Sequence, residues 1–143
     1  MTKYNFFGHE NCVKIRSKNM NITPCDLYDI LKNIWCEYSC APRMRQNWSD
    51  ENVTLGQCSI TAFLVQDIFG GKVFGVPRPD GNFHCFNVVD DVIFDLTSEQ
   101  FKGEFLDYSL KHEQSREKHF SKDEKKQRYE YLKSELEKVY NLF

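Results

Sequence analysis

An α+β fold is predicted for this chain: a buried central helix packed on an antiparallel sheet, with amphipathic helices towards its N and C termini. Three observations carry that prediction. Residues 58–69 form an apolar run that is hydrophobic on nearly every helical face, the mark of a helix packed on several sides. Three short runs rich in Val, Ile and Phe follow, separated by Asp80-Gly81 and Asp90-Asp91, and read as antiparallel strands joined by tight turns. The segments on either side repeat apolar residues at i, i+3, i+4 and i+7. Helix, buried helix, strands and helix in that order make an α+β arrangement. At 143 residues, one domain spanning 1–143 is expected.

Residues 1–22 show little periodicity, apart from one short strand expected at Cys12–Ile15. The first helix is predicted from Pro24 to Tyr38. Thr23 is its N-cap, Pro24 fits the first turn, and Asp26 supplies acidic charge there. Leu27, Ile30, Leu31, Ile34, Trp35 and Tyr38 form its buried stripe. The polar stretch "SCAPRMRQNWSDENVTLG" follows as a long loop, of a length that is often functional. The central helix runs from Cys58 to Phe69 and ends at Gly70-Gly71. "KVFGV", "FHCFNVV" and "VIFDLT" are the three strands, and Ser98–Phe120 carries no clear pattern. The last helix opens on a capping box of Ser121 and Glu124. It is expected to bury Tyr129, Leu132, Leu136, Val139, Tyr140 and Phe143.

Composition narrows the function classes. A hydrophobic content of 41% and a charged content of 28% are those of a soluble globular chain. A net charge of -2 argues against nucleic acid as partner and against a charged membrane surface. The mixed signs of "KHEQSREKHFSKDEKKQR" read as a solvated helix face. The N-terminal stretch lacks a signal-peptide core, and no run approaches the ~18 apolar residues of a membrane span. A cytoplasmic, reducing location is therefore expected, with Cys12, Cys25, Cys36, Cys40, Cys58 and Cys85 as free thiols. Cys36 and Cys40 are four apart but have no second Cys/His pair to complete a metal knuckle. No metal and no cofactor is expected.

Cys58 stands at the predicted start of the central helix, where free N–H groups and the helix dipole favour a thiolate. A nucleophilic thiol needs a base. His84, inside the second strand, is the candidate; His9, His112 and His119 lie in polar surroundings and read as surface residues. Strand parity then selects an orienting group. With a two-residue turn at Asp90-Asp91, Phe86 opposes Asp95, which shares a face with Phe86 and hence with His84. Asn87 and Cys85 point to the opposite face. Two readings stand at this point: a Cys58–His84–Asp95 catalytic set, or a core cysteine beside a structural His–Asp pair.

The runs "GQCSITAFLVQDIFGG", "HCFN", "FDLTSEQF" and "RYEYLK" resemble the YunG-like family of small bacterial proteins over roughly residues 27–136. Cys85 stands where that family often has an aromatic residue, on the face expected to lie away from His84. The order of a cysteine on a buried helix, then histidine and aspartate on adjacent strands, is similar to papain-like and transglutaminase-like cores. That likeness implies roles: Cys58 as nucleophile, His84 as base and then acid, and Asp95 as orienter. Gln57 and Gln46 are then candidate oxyanion donors beside the Cys58 N–H. Trp48 and Asn87 are candidates for lining or supporting the site. The expected function is a cysteine-dependent amide hydrolase or acyltransferase acting on a peptide, protein or small amide substrate. The alternative is a non-catalytic binding or regulatory module on the same scaffold.

Overall fold

The central apolar run is a helix with the bounds expected. In a computed structural model, which describes residues 4–17 and 21–140, helix α2 spans Cys58–Phe69. Ile60, Phe63, Leu64 and Val65 are fully buried, as hydrophobicity on all faces requires. α2 packs against a three-stranded antiparallel sheet and against the C-terminal helix. The strands β1 (Lys72–Pro77), β2 (Phe83–Val89) and β3 (Val92–Phe94) lie in the order β1-β2-β3. Asp90 and Asp91, both at positive φ, join β2 to β3. They form a two-residue turn of the hairpin kind, so Val89 faces Val92, Val88 faces Ile93 and Asn87 faces Phe94.

β2 is covered on both faces. Cys85 and Val89 join the core built on α2, and the Asn87 amide donates to the Ala62 carbonyl at 2.9 Å. Phe86 packs on the other side with Phe74, Val76 and Leu106, flanked by Phe101 and Tyr108. This is the alternation a pleated strand imposes. It puts His84 and Cys85 on opposite faces.

Helix α1 spans Pro24–Leu31, with the capping box between Thr23 and Asp26 fully formed. It does not continue to Tyr38. The N–H groups of Asn33 and Ile34 turn back to Ile30 O and Leu31 O at 3.1 and 2.9 Å, tightening the chain. Trp35 then turns inward, its indole donating to Thr61 Oγ1 at 2.9 Å, and Tyr38 is left exposed.

Four other expectations are corrected. Cys12–Lys14 is a 3-10 turn rather than a strand. Neighbouring Phe6 is fully buried, and Phe7 makes an isolated bridge to Asp95. β3 stops at Phe94 rather than Thr97, because the Asp95 N–H donates to Phe7 O at 2.9 Å and the Asp95 carboxylate accepts the Thr97 N–H, turning the chain. The last helix, α4, spans Asp123–Val139, preceded by a short helix α3 at Arg116–Phe120. The Ser121–Glu124 capping box does not form, because the Ser121 hydroxyl donates to Lys118 O at 2.6 Å and closes α3 instead. Tyr129, Leu132 and Leu136 are buried, whereas Val139 and Tyr140 are exposed. Phe143 lies outside the described residues.

Among the described residues no helix is long and apolar enough to cross a membrane. All six cysteines are free, and no group of three or more His, Cys, Asp or Glu among the described residues is arranged to hold a metal ion.

Candidate active site

Cys58 is the first residue of α2, and the backbone ahead of it is tightly held. Gly56 has φ +71°, and a Cβ there would lie 2.5 Å from Cys40 Sγ and 2.9 Å from the Ala41 nitrogen. Its carbonyl accepts the Ala41 N–H at 2.9 Å and its N–H donates to Gln100 Oε1 at 3.3 Å. Only glycine combines that torsion with that approach. The turn delivers Cys58 to the helix start, where first-turn N–H groups have no acceptor within the helix.

β3 pairs only with Asn87–Val89, so the Phe83–Phe86 part of β2 has no third strand beside it. Cys58 Sγ lies 4.0 Å from Phe83 O there. His84 Nε2 donates to Asp95 Oδ2 at 2.6 Å, both side chains almost fully buried. Asp95 occupies Nε2, which leaves Nδ1 as the ring nitrogen available to the thiol. The carboxylate is itself fixed: Tyr108 donates to Oδ2 at 2.7 Å, and Thr97 donates to Oδ1 from its N–H at 3.1 Å and its hydroxyl at 3.3 Å. Phe101 meets the His84 ring edge to face at 4.6 Å, holding its orientation.

The charges on these groups are mutually supporting. Burial works against a charged His84, yet the charge and hydrogen bond of Asp95, aided by Cys58, push its pKa up to about 10. The Cys58 pKa lies well below the ordinary thiol value, because Cys85 hydrogen-bonds to the sulfur and His84 adds a hydrogen bond and opposite charge, together outweighing burial. Cys85 is driven the other way, by that hydrogen bond to Cys58 and by burial. It keeps its proton and donates it. Cys85 faces away from His84 as strand parity requires, yet it influences the charge on Cys58. Together these directions favour a thiolate–imidazolium pair over neutral thiol and imidazole.

A cleft of about 1130 Å³ opens over Cys58 and His84. Its rim includes the β1–β2 turn on one side and α3 with the start of α4 on the other. Asp95 lies behind His84, buried and away from the cleft surface. Gln57, Gln46, Trp48 and Asn87 do not line it. The Gln57 amide donates to Cys36 O at 3.1 Å, anchoring the 36–57 loop. Gln46 is exposed on a 3-10 turn at Pro42–Asn47, and the Trp48 indole donates to Val53 O at 3.0 Å. Gln100 and Ser59, which line the cleft, lie inside the family-like runs, where spacing alone assigns them no chemical role. Tyr108 was missed as well, lying in the 98–120 stretch whose pattern is neither helical nor alternating. His112 and His119 also line the cleft, and His119 is half-buried rather than a surface residue.

Residues 23–141 match the family described as "YunG protein". The chain belongs to the YunG family. Over 74 residues, 52% of its length, it is 39% identical to "Uncharacterized protein YunG" of Bacillus subtilis (strain 168), and the match spans 59% of that relative's own length. No solved structure matches the chain. Cys58, His84, Asp95 and the cleft residues all fall inside the family segment. Phe7, which holds the Asp95 backbone, lies ahead of it.

Proposed function

We propose that this YunG-family protein is a cysteine-dependent amide hydrolase or acyltransferase. One observation carries the reading: a histidine bound to a buried carboxylate at 2.6 Å shares one open cleft with a thiol at a helix N terminus. Nucleophile, base and orienter are in that relation in papain-like and transglutaminase-like enzymes, and the likeness is one of roles and chain order.

The Cys58 thiolate attacks the carbonyl carbon of an amide, forming an S–C bond and placing the carbonyl electron pair on oxygen. The Cys58 N–H at the start of α2 faces that oxyanion. As the tetrahedral intermediate collapses, the imidazolium of His84 protonates the departing amine and the C–N bond breaks, leaving a thioester. Water, or an acceptor amine in acyl transfer, then attacks the thioester. His84 takes its proton, and the Cys58 sulfur leaves as thiolate. Asp95 holds the ring so that Nδ1 faces sulfur throughout, and supports its positive charge.

Alkylation with iodoacetamide, followed at each cysteine by mass spectrometry, tests the nucleophile. Cys58 is expected to react fastest and to stay reactive well below pH 8.5, and to lose that advantage in His84→Ala. Cys36 is the internal comparison. Burial opposes its ionisation, but hydrogen bonds from Tyr131 and Ser39 still lower its pKa, and it has no histidine partner. A Cys58 that reacts only when the protein unfolds removes the catalytic reading and leaves the binding module.

A further inference from the structure

The charge on the cleft wall does not follow that of the chain. The chain carries a net charge of -2, yet seven cationic side chains line the cleft against three carboxylates. All three carboxylates are engaged: Asp80 with Arg43 at 3.5 Å, Glu113 with Lys72 at 4.0 Å, and Glu124 with Arg128 at 2.8 Å. Arg78 is held by Glu104 at 3.0 Å. On the α3–α4 wall, Lys118, Lys122 and Lys125 have no carboxylate partner among the described residues.

Lys125 is the informative one. It is half-buried, and its ammonium donates to His119 Nδ1 at 2.8 Å, while His119 Nε2 donates to Gln114 Oε1 at 2.8 Å. Burial and the surrounding lysines push the His119 pKa down to about 4, so near neutral pH Lys125 leans on a neutral ring. A partly desolvated cation is costly unless a negative charge compensates it, and no carboxylate among the described residues does so for Lys125. Burial lowers the Lys125 pKa and electrostatic attraction to Cys85 and Cys58 opposes that, and Lys125, His119 and Cys58 line the same cleft.

We infer that Lys125, flanked by Lys122 and Lys118, forms an anion subsite beside Cys58, and that the acyl substrate carries a carboxylate or phosphate group that it receives. The substrate assignment rests on the reading of Cys58 as nucleophile; the anion site itself does not.

Calorimetric titration with succinate and with inorganic phosphate, on the Cys58→Ala protein, reads the site without its chemistry. Binding that weakens about tenfold in Lys125→Gln, and also weakens in the exposed Lys122→Gln, is expected, with Lys126→Gln outside the cleft as the charge-matched control. Tighter binding of succinate assigns a carboxylate and tighter binding of phosphate assigns a phosphate. No binding of either, or equal loss in Lys126→Gln, overturns the site. In the protein with Cys58 intact, the ratio of alkylation by iodoacetate to that by iodoacetamide should fall in Lys125→Gln. Anion binding without any selective alkylation of Cys58 would leave the subsite standing and remove the nucleophile. Selective alkylation without anion binding would do the reverse.

Discussion

Replacing Asp95 by Asn changes one atom type in the most constrained part of the site. The carboxylate accepts four hydrogen bonds, from His84 and Tyr108 on one oxygen and from the Thr97 N–H and hydroxyl on the other. An asparagine offers one oxygen and one NH₂, so in either orientation donors face donors. A buried donor left unpaired costs about 1–3 kcal/mol. The larger effect is on charge. Burial already opposes the His84 imidazolium, and the Asp95 charge is foremost among the influences that raise its pKa to about 10. Without it His84 should titrate near or below its ordinary value of about 6.5, and at pH 7.5 be about 10% protonated or less. The thiolate of Cys58 loses its partner, and its alkylation near neutral pH should fall about tenfold or more. The sign of the stability effect follows from the raised histidine pKa. His84 contributes its full stabilisation below about pH 6.5 and loses it as pH rises through about 10. Urea denaturation of wild type and Asp95→Asn should therefore give a stability gap that narrows across that window. A variant with the wild-type alkylation profile, or a gap that widens towards pH 10, would refute the thiolate–imidazolium account.

Two further outcomes are expected. Cys85→Ala removes the foremost influence lowering the Cys58 pKa, so the acid limb of Cys58 alkylation should move to higher pH while far-ultraviolet circular dichroism stays native. Gly56→Ala places a methyl 2.5 Å from Cys40 Sγ at a φ of +71°, and should cost about 1–3 kcal/mol in urea unfolding together with loss of selective Cys58 reactivity.

Much of the site was legible because β-strand geometry is periodic. Once Asp90-Asp91 was read as a two-residue turn, the faces of His84, Cys85 and Asn87 followed, but the ladder ends at Asn87–Phe94, short of the expected Phe86–Asp95 pair, and Asp95 reaches His84 from a backbone that has already left the sheet to bridge Phe7. The parity argument was incomplete on Cys85. It assigns a side chain to a face and is silent on what crosses that face, and here α2 packs Cys58 against the core that holds Cys85. The candidates Gln57, Gln46, Trp48 and Asn87 were chosen by closeness in sequence or by chemical type. Their polar groups, where bound, hold the backbone instead, as the carbonyls of Cys36, Val53 and Ala62 show.

Local sequence determined what local physics controls: the bounds of α2, the cap of α1, the turn and register of β2 with β3, and the placing of a cysteine at a helix start. Tertiary structure alone decided where α1 and β3 stop, because Trp35 is drawn to Thr61 and the Asp95 backbone to Phe7, across 26 and 88 residues of chain. It also decided that Tyr108 would clamp Asp95, and that Lys118, Lys122 and Lys125 of a mixed-charge segment would face a cleft shared with Cys58. Hydrophobic periodicity reports which face of an element is buried. It carries no information about which distant polar group, or which unpaired charge, will meet that face.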